Sequence, residues 1–176
     1  MGYLLILPLR RIWQNPRTLL EPLVREGMTV LEPGPGMGFF TLDAARLAGP
    51  AGRVVAVDLQ ERMLAALRRR AARAGLADRI DLRRTEAGSL AVEDLAGHVD
   101  LVLAIFVVHE MPDAAAFFVQ AHRALRPGGR LLFAEPKHHV TPEAFERSLA
   151  AAAQAGFRPE GDVPFRGGRA VVLSRP

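Results

Sequence analysis

Residues 28–41 read M-T-V-L-E-P-G-P-G-M-G-F-F-T, and few folds can accommodate them. A short apolar run closes on an acid, Glu32. Gly34, Gly36 and Gly38 then alternate with Pro35 and Met37 before a new apolar stretch begins. This order predicts a buried strand, a tight turn and a helix whose N-terminus receives a ligand. Glycine lacks a Cβ, so Gly34 and Gly36 let the main chain take φ > 0 and approach a bound group closely. A dinucleotide fingerprint would need its last glycine at position 39. Phe39 stands there and excludes that reading.

The rest of the chain supplies a repeating frame for this turn. Strand candidates are Met28–Glu32, Arg53–Asp58, Arg79–Arg84, Val99–Phe106, Arg130–Glu135 and Arg169–Ser174. Helix candidates are Pro16–Arg25, Gly38–Ala48, Glu61–Ala74, Asp113–Leu125 and Pro142–Ala155. Such alternation implies βαβ crossovers and a mainly parallel sheet covered on both faces. The apolar run L-V-L-A-I-F-V-V at 101–108 fits a central strand buried on both sides. Pro127-Gly128-Gly129 reads as a tight turn feeding the fifth strand. Ligands on such sheets sit beyond the carboxyl ends of the strands, so the functional residues should follow each strand.

Composition narrows the function classes. A chain of 176 residues suits a single domain, expected here over 1–176, with 1–27 as an N-terminal helical segment. No apolar run approaches the roughly 20 residues of a membrane span. The opening G-Y-L-L-I-L-P-L-R-R lacks a basic leader and a cleavage site, so it is not read as a signal peptide, and the expected location is cytoplasmic. The absence of cysteine excludes disulfides and thiolate metal sites. The net charge is +4 and Lys137 is the only lysine. The arginines are scattered with no interleaved aromatics, so a nucleic-acid partner is disfavoured, though left open. Arg68, Arg69, Arg70 and Arg73 fall opposite the stripe Met63, Leu64, Leu67, Ala71 and Ala74, and are read as a solvated face.

An acid before G-x-G-x-G resembles motif I of the class I S-adenosylmethionine (SAM)-dependent methyltransferases. V-V-A-V-D-L-Q, the fourth-strand run and L-R-P-G-G-R-L-L-F-A-E-P follow in that family's order and spacing. The resemblance covers residues 28–135, with a weaker match to the family's final hairpin in the tail. It is nearest to the ubiquinone/menaquinone-biosynthesis-like small-molecule methyltransferases. It implies a Rossmann-like, doubly wound sheet of seven mostly parallel strands, the last antiparallel, with helices on both faces.

It also implies a cofactor, SAM, and a site. The glycine turn with Pro35 would face the methionine carboxylate, and Glu32 the cationic amine and sulfonium. Asp58, about 20 residues beyond the glycines, can accept hydrogen bonds from both ribose hydroxyls. Leu59 and Met63 would flank the adenine. Glu86, beside Ala87, stands where the family carries Asp-Ala and would hold the adenine amino group. Ala104 would pack beneath the methionine moiety.

Methyl transfer is an in-line displacement that needs a base only if the acceptor must lose a proton. His109 and Glu110 follow the fourth strand; Glu135, Lys137, His138 and His139 follow the fifth. His109 is the candidate general base, weighed against a loop-packing role; histidine titrates near neutrality in general. The spacing matches no ligand motif, so no metal is expected. His98 and His122 are read as structural. There is no Asn/Asp/Ser-Pro-Pro-aromatic tetrad after the fourth strand, which disfavours amino groups of nucleic-acid bases or glutamine. Trp13, with Leu9 and Ile12, is read either as a lid or as packing on the core. The expected activity is methylation of a small-molecule acceptor. An RNA or protein acceptor, or a non-catalytic SAM-binding partner subunit, are the alternatives, and a homodimer is compatible with such a chain.

Overall fold

The computed structural model describes residues 15–176, so the Trp13 segment lies outside the described residues. These residues fall into two compact units that divide between Arg84 and Thr85.

The first unit begins with helix α1 (Pro16–Leu20), capped by the Asn15 side chain on the Arg17 N–H. The helix was expected to reach Arg25. It stops early because Pro22 has no N–H to continue the ladder. Strands β1 (Thr29–Pro33), β2 (Arg53–Asp58) and β3 (Ile80–Arg84) then form an all-parallel set in the order β3-β2-β1. Helix α2 (Thr41–Ala48) packs on β1 and β2, and α3 (Glu61–Arg73) packs on β2 and β3. The expected start of α2 at Gly38 is moved to Thr41. Gly38 has φ +82°, a left-handed conformation that cannot enter a right-handed helix.

The second unit carries β4 (Val99–Ile105), α4 (Ala114–Ala124), β5 (Leu125–Pro136), α5 (Pro142–Gln154), β6 (Arg158–Asp162) and β7 (Gly168–Ser174). Within it β4 and β5 pair parallel, while β7 runs antiparallel to both β5 and β6. Pro127-Gly128-Gly129 is not a turn before the strand, as expected, but an irregularity inside it. Val99 pairs with Leu125 and Leu101 already pairs with Arg130, so the intervening residues bulge, with Gly128 at φ +72°. β6 had no matching strand candidate. All its residues are exposed, so it carries none of the apolar alternation that marks a strand.

The seven strands, parallel except for the last and flanked by helices, are the Rossmann-like α/β class expected from the sequence. Val102, Leu103 and Ala104 of β4 and Leu131, Leu132 and Phe133 of β5 are fully buried, as strands covered on both faces must be. Phe133 stacks on Phe145 at 4.9 Å and meets Phe118 edge-on at 5.5 Å. These rings fix α4 and α5 against β5 and so hold the strand whose end carries Glu135. No helix among the described residues is long and apolar enough to cross a membrane.

Candidate active site

In the first unit, β1 delivers Glu32 into the interior, 4% exposed, one residue before the strand ends. The chain then turns through Gly34, Gly36 and Gly38, at φ +65°, +54° and +82°. The Gly34 N–H donates to the Val57 carbonyl at 2.8 Å, which pins the turn to β2. A Cβ on Gly38 would lie 2.3 Å from Leu67 Cδ1, so a side chain here would have to displace Leu67 as well as adopt the left-handed φ. A Cβ on Gly36 would meet nothing within 4 Å. The turn therefore leaves room at its middle and none at its end. Arg70, expected among the solvated arginines, is half-buried and donates to the Met37 carbonyl, tying α3 to the turn. Arg68, Arg69 and Arg73 are exposed as expected.

The electrostatics of this turn are unusual. Burial pushes the Glu32 carboxyl up to about 7; the nearby Thr41 hydroxyl pulls it down, and the Asp58 charge pushes it further up. Glu32 Oε2 and Thr41 Oγ1 are both buried without a hydrogen-bond partner. A buried polar atom left unpaired costs about 1–3 kcal/mol. The arrangement is one that a cationic, hydrogen-bonding ligand would complete. The positively charged methionine end of SAM fits it: room at Gly36, an orphaned acid, and the start of α2 behind it.

Asp58 closes β2 and is 8% exposed. Its Oδ1 accepts the Gln60 N–H at 2.8 Å, which shapes the entry into α3. Leu59 is 50% exposed, one of two large apolar side chains so exposed among the described residues. Met63 is half-buried on the first turn of α3. Glu32, Gly34, Pro35, Gly36, Gly38, Asp58, Leu59 and Met63 thus gather at the carboxyl ends of β1 and β2.

In the second unit, Glu86 and Ala87 are exposed in a turn after β3, with the Ser89 N–H donating to the Glu86 carbonyl. Gln120 of α4 holds this turn through Gly88 and Leu90. Ala104 is wholly buried in β4. His109 lies in a 3₁₀ turn (Val108–Glu110) beyond β4. Its Nδ1 lies 2.5 Å from Glu135 Oε2, and its main-chain N–H donates to Glu135 Oε1 at 3.0 Å. Glu135 is 2% exposed near the end of β5. Burial leaves its pKa raised above the usual carboxylate range, although the charge and hydrogen bonds of His109 oppose that shift. Nε2 of His109 lies 4.0 Å from Oε1 of the exposed Glu110, and the His139 ring stacks parallel at 6.2 Å.

His138 is exposed. His122 packs edge-on against Phe157 at 5.1 Å, its pKa lowered by burial and then by Arg175. The His98 N–H donates to the Leu95 and Ala124 carbonyls. No group of three or more His, Asp or Glu side chains with metal-holding geometry occurs among the described residues.

Two participants escaped the sequence: Thr41 and Arg70 carry no motif. Glu135 was a candidate beside His109, at the end of the neighbouring strand, and the structure adds their direct contact. The available signal was position: like Glu32 and Asp58, it is an acid at the carboxyl end of a buried strand.

Comparison with known proteins agrees with this fold. A family model described as a methyltransferase domain matches residues 24–160. A ubiquinone/menaquinone biosynthesis C-methyltransferase of Hahella chejuensis is 31% identical over 149 residues, covering 83% of this chain and 59% of that protein. An arsenite methyltransferase of Halobacterium salinarum is 36% identical over 121 residues, covering 69% of this chain and 30% of that protein. The chain thus spans about three-fifths of the first relative and less of the second. A crystal structure of a SAM-dependent methyltransferase from Aquifex aeolicus has a TM-score of 0.87 at 24% identity, covering 99% of this chain and 97% of that one. That likeness establishes the fold.

Proposed function

We propose, from the premise that this chain belongs to the methyltransferase-domain family and takes the class I SAM-dependent fold, that it methylates a small-molecule acceptor. The observation that carries the reading is the buried Glu32 carboxyl, with its Oε2 left without a hydrogen-bond partner, beside three left-handed glycines.

Glu32 and the turn Gly34-Pro35-Gly36-Met37-Gly38 would hold the methionine end of SAM, with the amide groups opening α2 facing its carboxylate. Asp58 would take the ribose hydroxyls. Leu59 and Met63 would cover the adenine. SAM, when bound, supplies an electrophilic methyl group on a sulfonium. Near the acceptor, His109 would serve as the base, with Glu135 on its far nitrogen. Two relatives named for a step in quinone biosynthesis and for arsenite support a small acceptor.

Titration calorimetry tests the reading. The wild-type protein should bind SAM, and Asp58→Ala should lose on the order of 1–3 kcal/mol, the worth of charged hydrogen bonds. An unchanged dissociation constant removes the ribose assignment. Binding of NAD in place of SAM overturns the cofactor.

A further inference from the structure

We propose that Arg70 is a positioning residue for the methionine end of SAM: it holds the turn at 35–38 closed, so that the Gly36 and Met37 main-chain N–H groups join the amides opening α2 around the methionine carboxylate. The inference rests on the methyltransferase reading and adds to it a residue that lies outside the glycine motif.

The turn has one closing bond of its own. The Gly38 N–H donates to the Pro35 carbonyl at 2.9 Å, with Gly36 at φ +54° as the first of the two corner residues. The Gly36 and Met37 N–H groups make no hydrogen bond among the described residues. Successive unpaired amides in such a turn form a concavity that takes an anion. The peptide joining Met37 to Gly38 is the weak point. If it rotates, its N–H leaves the Pro35 carbonyl and the turn opens. Arg70 closes this route. Its guanidinium donates to the Met37 carbonyl, so the peptide is held at both ends.

The spacing along α3 brings Arg70 to this place. Met63, Leu67 and Arg70 stand at i, i+4 and i+7, on one face of the helix. Met63 is half-buried on the first turn, just beyond the Gln60 N–H that Asp58 accepts. Leu67 is wholly buried beside Gly38, where an added Cβ would lie 2.3 Å from its Cδ1. Arg70 follows in the next turn and takes the carbonyl that precedes Gly38. Its neighbours Arg68, Arg69 and Arg73 are exposed. One face of a rigid helix therefore carries the side chain proposed for the adenine and the two that hold the glycine turn. Met63 and Arg70 are about 10 Å apart along its axis. The helix acts as a ruler that sets the methionine subsite at a fixed distance from the nucleoside subsite.

The test uses the full chain and three ligands that share the nucleoside: SAM, S-adenosylhomocysteine and methylthioadenosine. The last lacks the carboxylate-bearing arm. Titration calorimetry gives the dissociation constants, and no acceptor is needed. Arg70→Met keeps the apolar stem and removes the donors. It should weaken SAM and S-adenosylhomocysteine about 10- to 100-fold, the range for one charged hydrogen bond, and leave methylthioadenosine within about twofold. Arg70→Lys keeps the charge but not the planar fork. It should show the same selectivity at smaller size, and it reads the proposal should Arg70→Met fail to fold. Arg69→Met, on the solvated side of the same helix, should change none of the three constants. Equal losses for all three ligands in the Arg70 variants, or an unchanged SAM constant in Arg70→Met, overturn the proposal and leave Arg70 a residue of the fold alone. A wild-type protein that binds none of the three overturns the methyltransferase reading and the proposal with it.

Discussion

Glu32 near the end of β1 and Glu135 near the end of β5 are both almost wholly buried, 4% and 2% exposed, yet only Glu135 has both oxygens answered. The same residue type at equivalent places in two strands does two jobs. Glu135 spends its charge inside the protein, on a histidine and main-chain amides, and gains rigidity from it. Glu32 keeps an unpaired oxygen and a pKa pushed up to about 7, mainly by burial. A desolvated acid without a cation is costly. On the proposed function, the first unit would receive the charged ligand and His109 of the second would direct a proton.

The two glutamates should answer the same substitution to different degrees. Glu32 has its folded pKa raised from 4.5 to about 7, so its contribution is full below 4.5 and is lost as pH rises through 7. At one pKa unit per 1.36 kcal/mol the loss is about 3 kcal/mol. Relative to wild type, Glu32→Gln should therefore gain about 3 kcal/mol of stability between pH 4 and pH 8, measured by urea unfolding without ligand. Glu135 is raised by burial too, but it keeps hydrogen bonds to His109 that are worth about 1.5–3 kcal/mol, so Glu135→Gln should gain less with rising pH than Glu32→Gln. A pH-independent effect of Glu32→Gln breaks the contrast, because it would mean that Glu32 is as well paired as Glu135.

The glycine turn offers a smaller test within the first unit. Gly38→Ala meets both a left-handed φ and the Leu67 side chain, whereas Gly36→Ala meets only the φ. The left-handed region alone costs a non-glycine residue roughly 1–2 kcal/mol. Gly38→Ala should thus lower the unfolding midpoint more than Gly36→Ala. SAM affinity should fall for Gly36→Ala despite its milder effect on the fold, because the new methyl group enters the space left for the ligand. If both substitutions act on stability alone, Gly36 is only a turn residue.

Much of this was legible in the chain. The order of strands and helices, the turn at Gly34 to Gly38 and the acid at Asp58 are local signals, written in periodicity and in glycine. Long-range pairings were not. His109 and Glu135 are separated by 26 positions and meet only because β4 and β5 lie side by side in register. Arg70 looked solvated because helical periodicity places it off the apolar stripe, yet it reaches the Met37 carbonyl 33 positions away. β6 was hidden for the reverse reason: an edge strand with every residue exposed has no pattern to show. Strand ends and their neighbours could be located from sequence, but the atoms that meet there could not.

The smallest effect probes the contrast most directly, because it counts a proton. Near pH 6, ligand-free Glu32 is largely protonated, with its pKa at about 7. A cationic ligand placed against it favours the carboxylate and draws that pKa down. Binding must then release up to one proton, and affinity must rise with pH until about 7 and level off above it. Calorimetric titrations of SAM at pH 6, in buffers of different ionisation enthalpy, report that count as a slope. Glu32→Gln should flatten the slope. Glu135→Gln should leave it alone, since its partner is already inside the protein. A slope that survives Glu32→Gln would place the released proton elsewhere and deny the first unit its charge-receiving role.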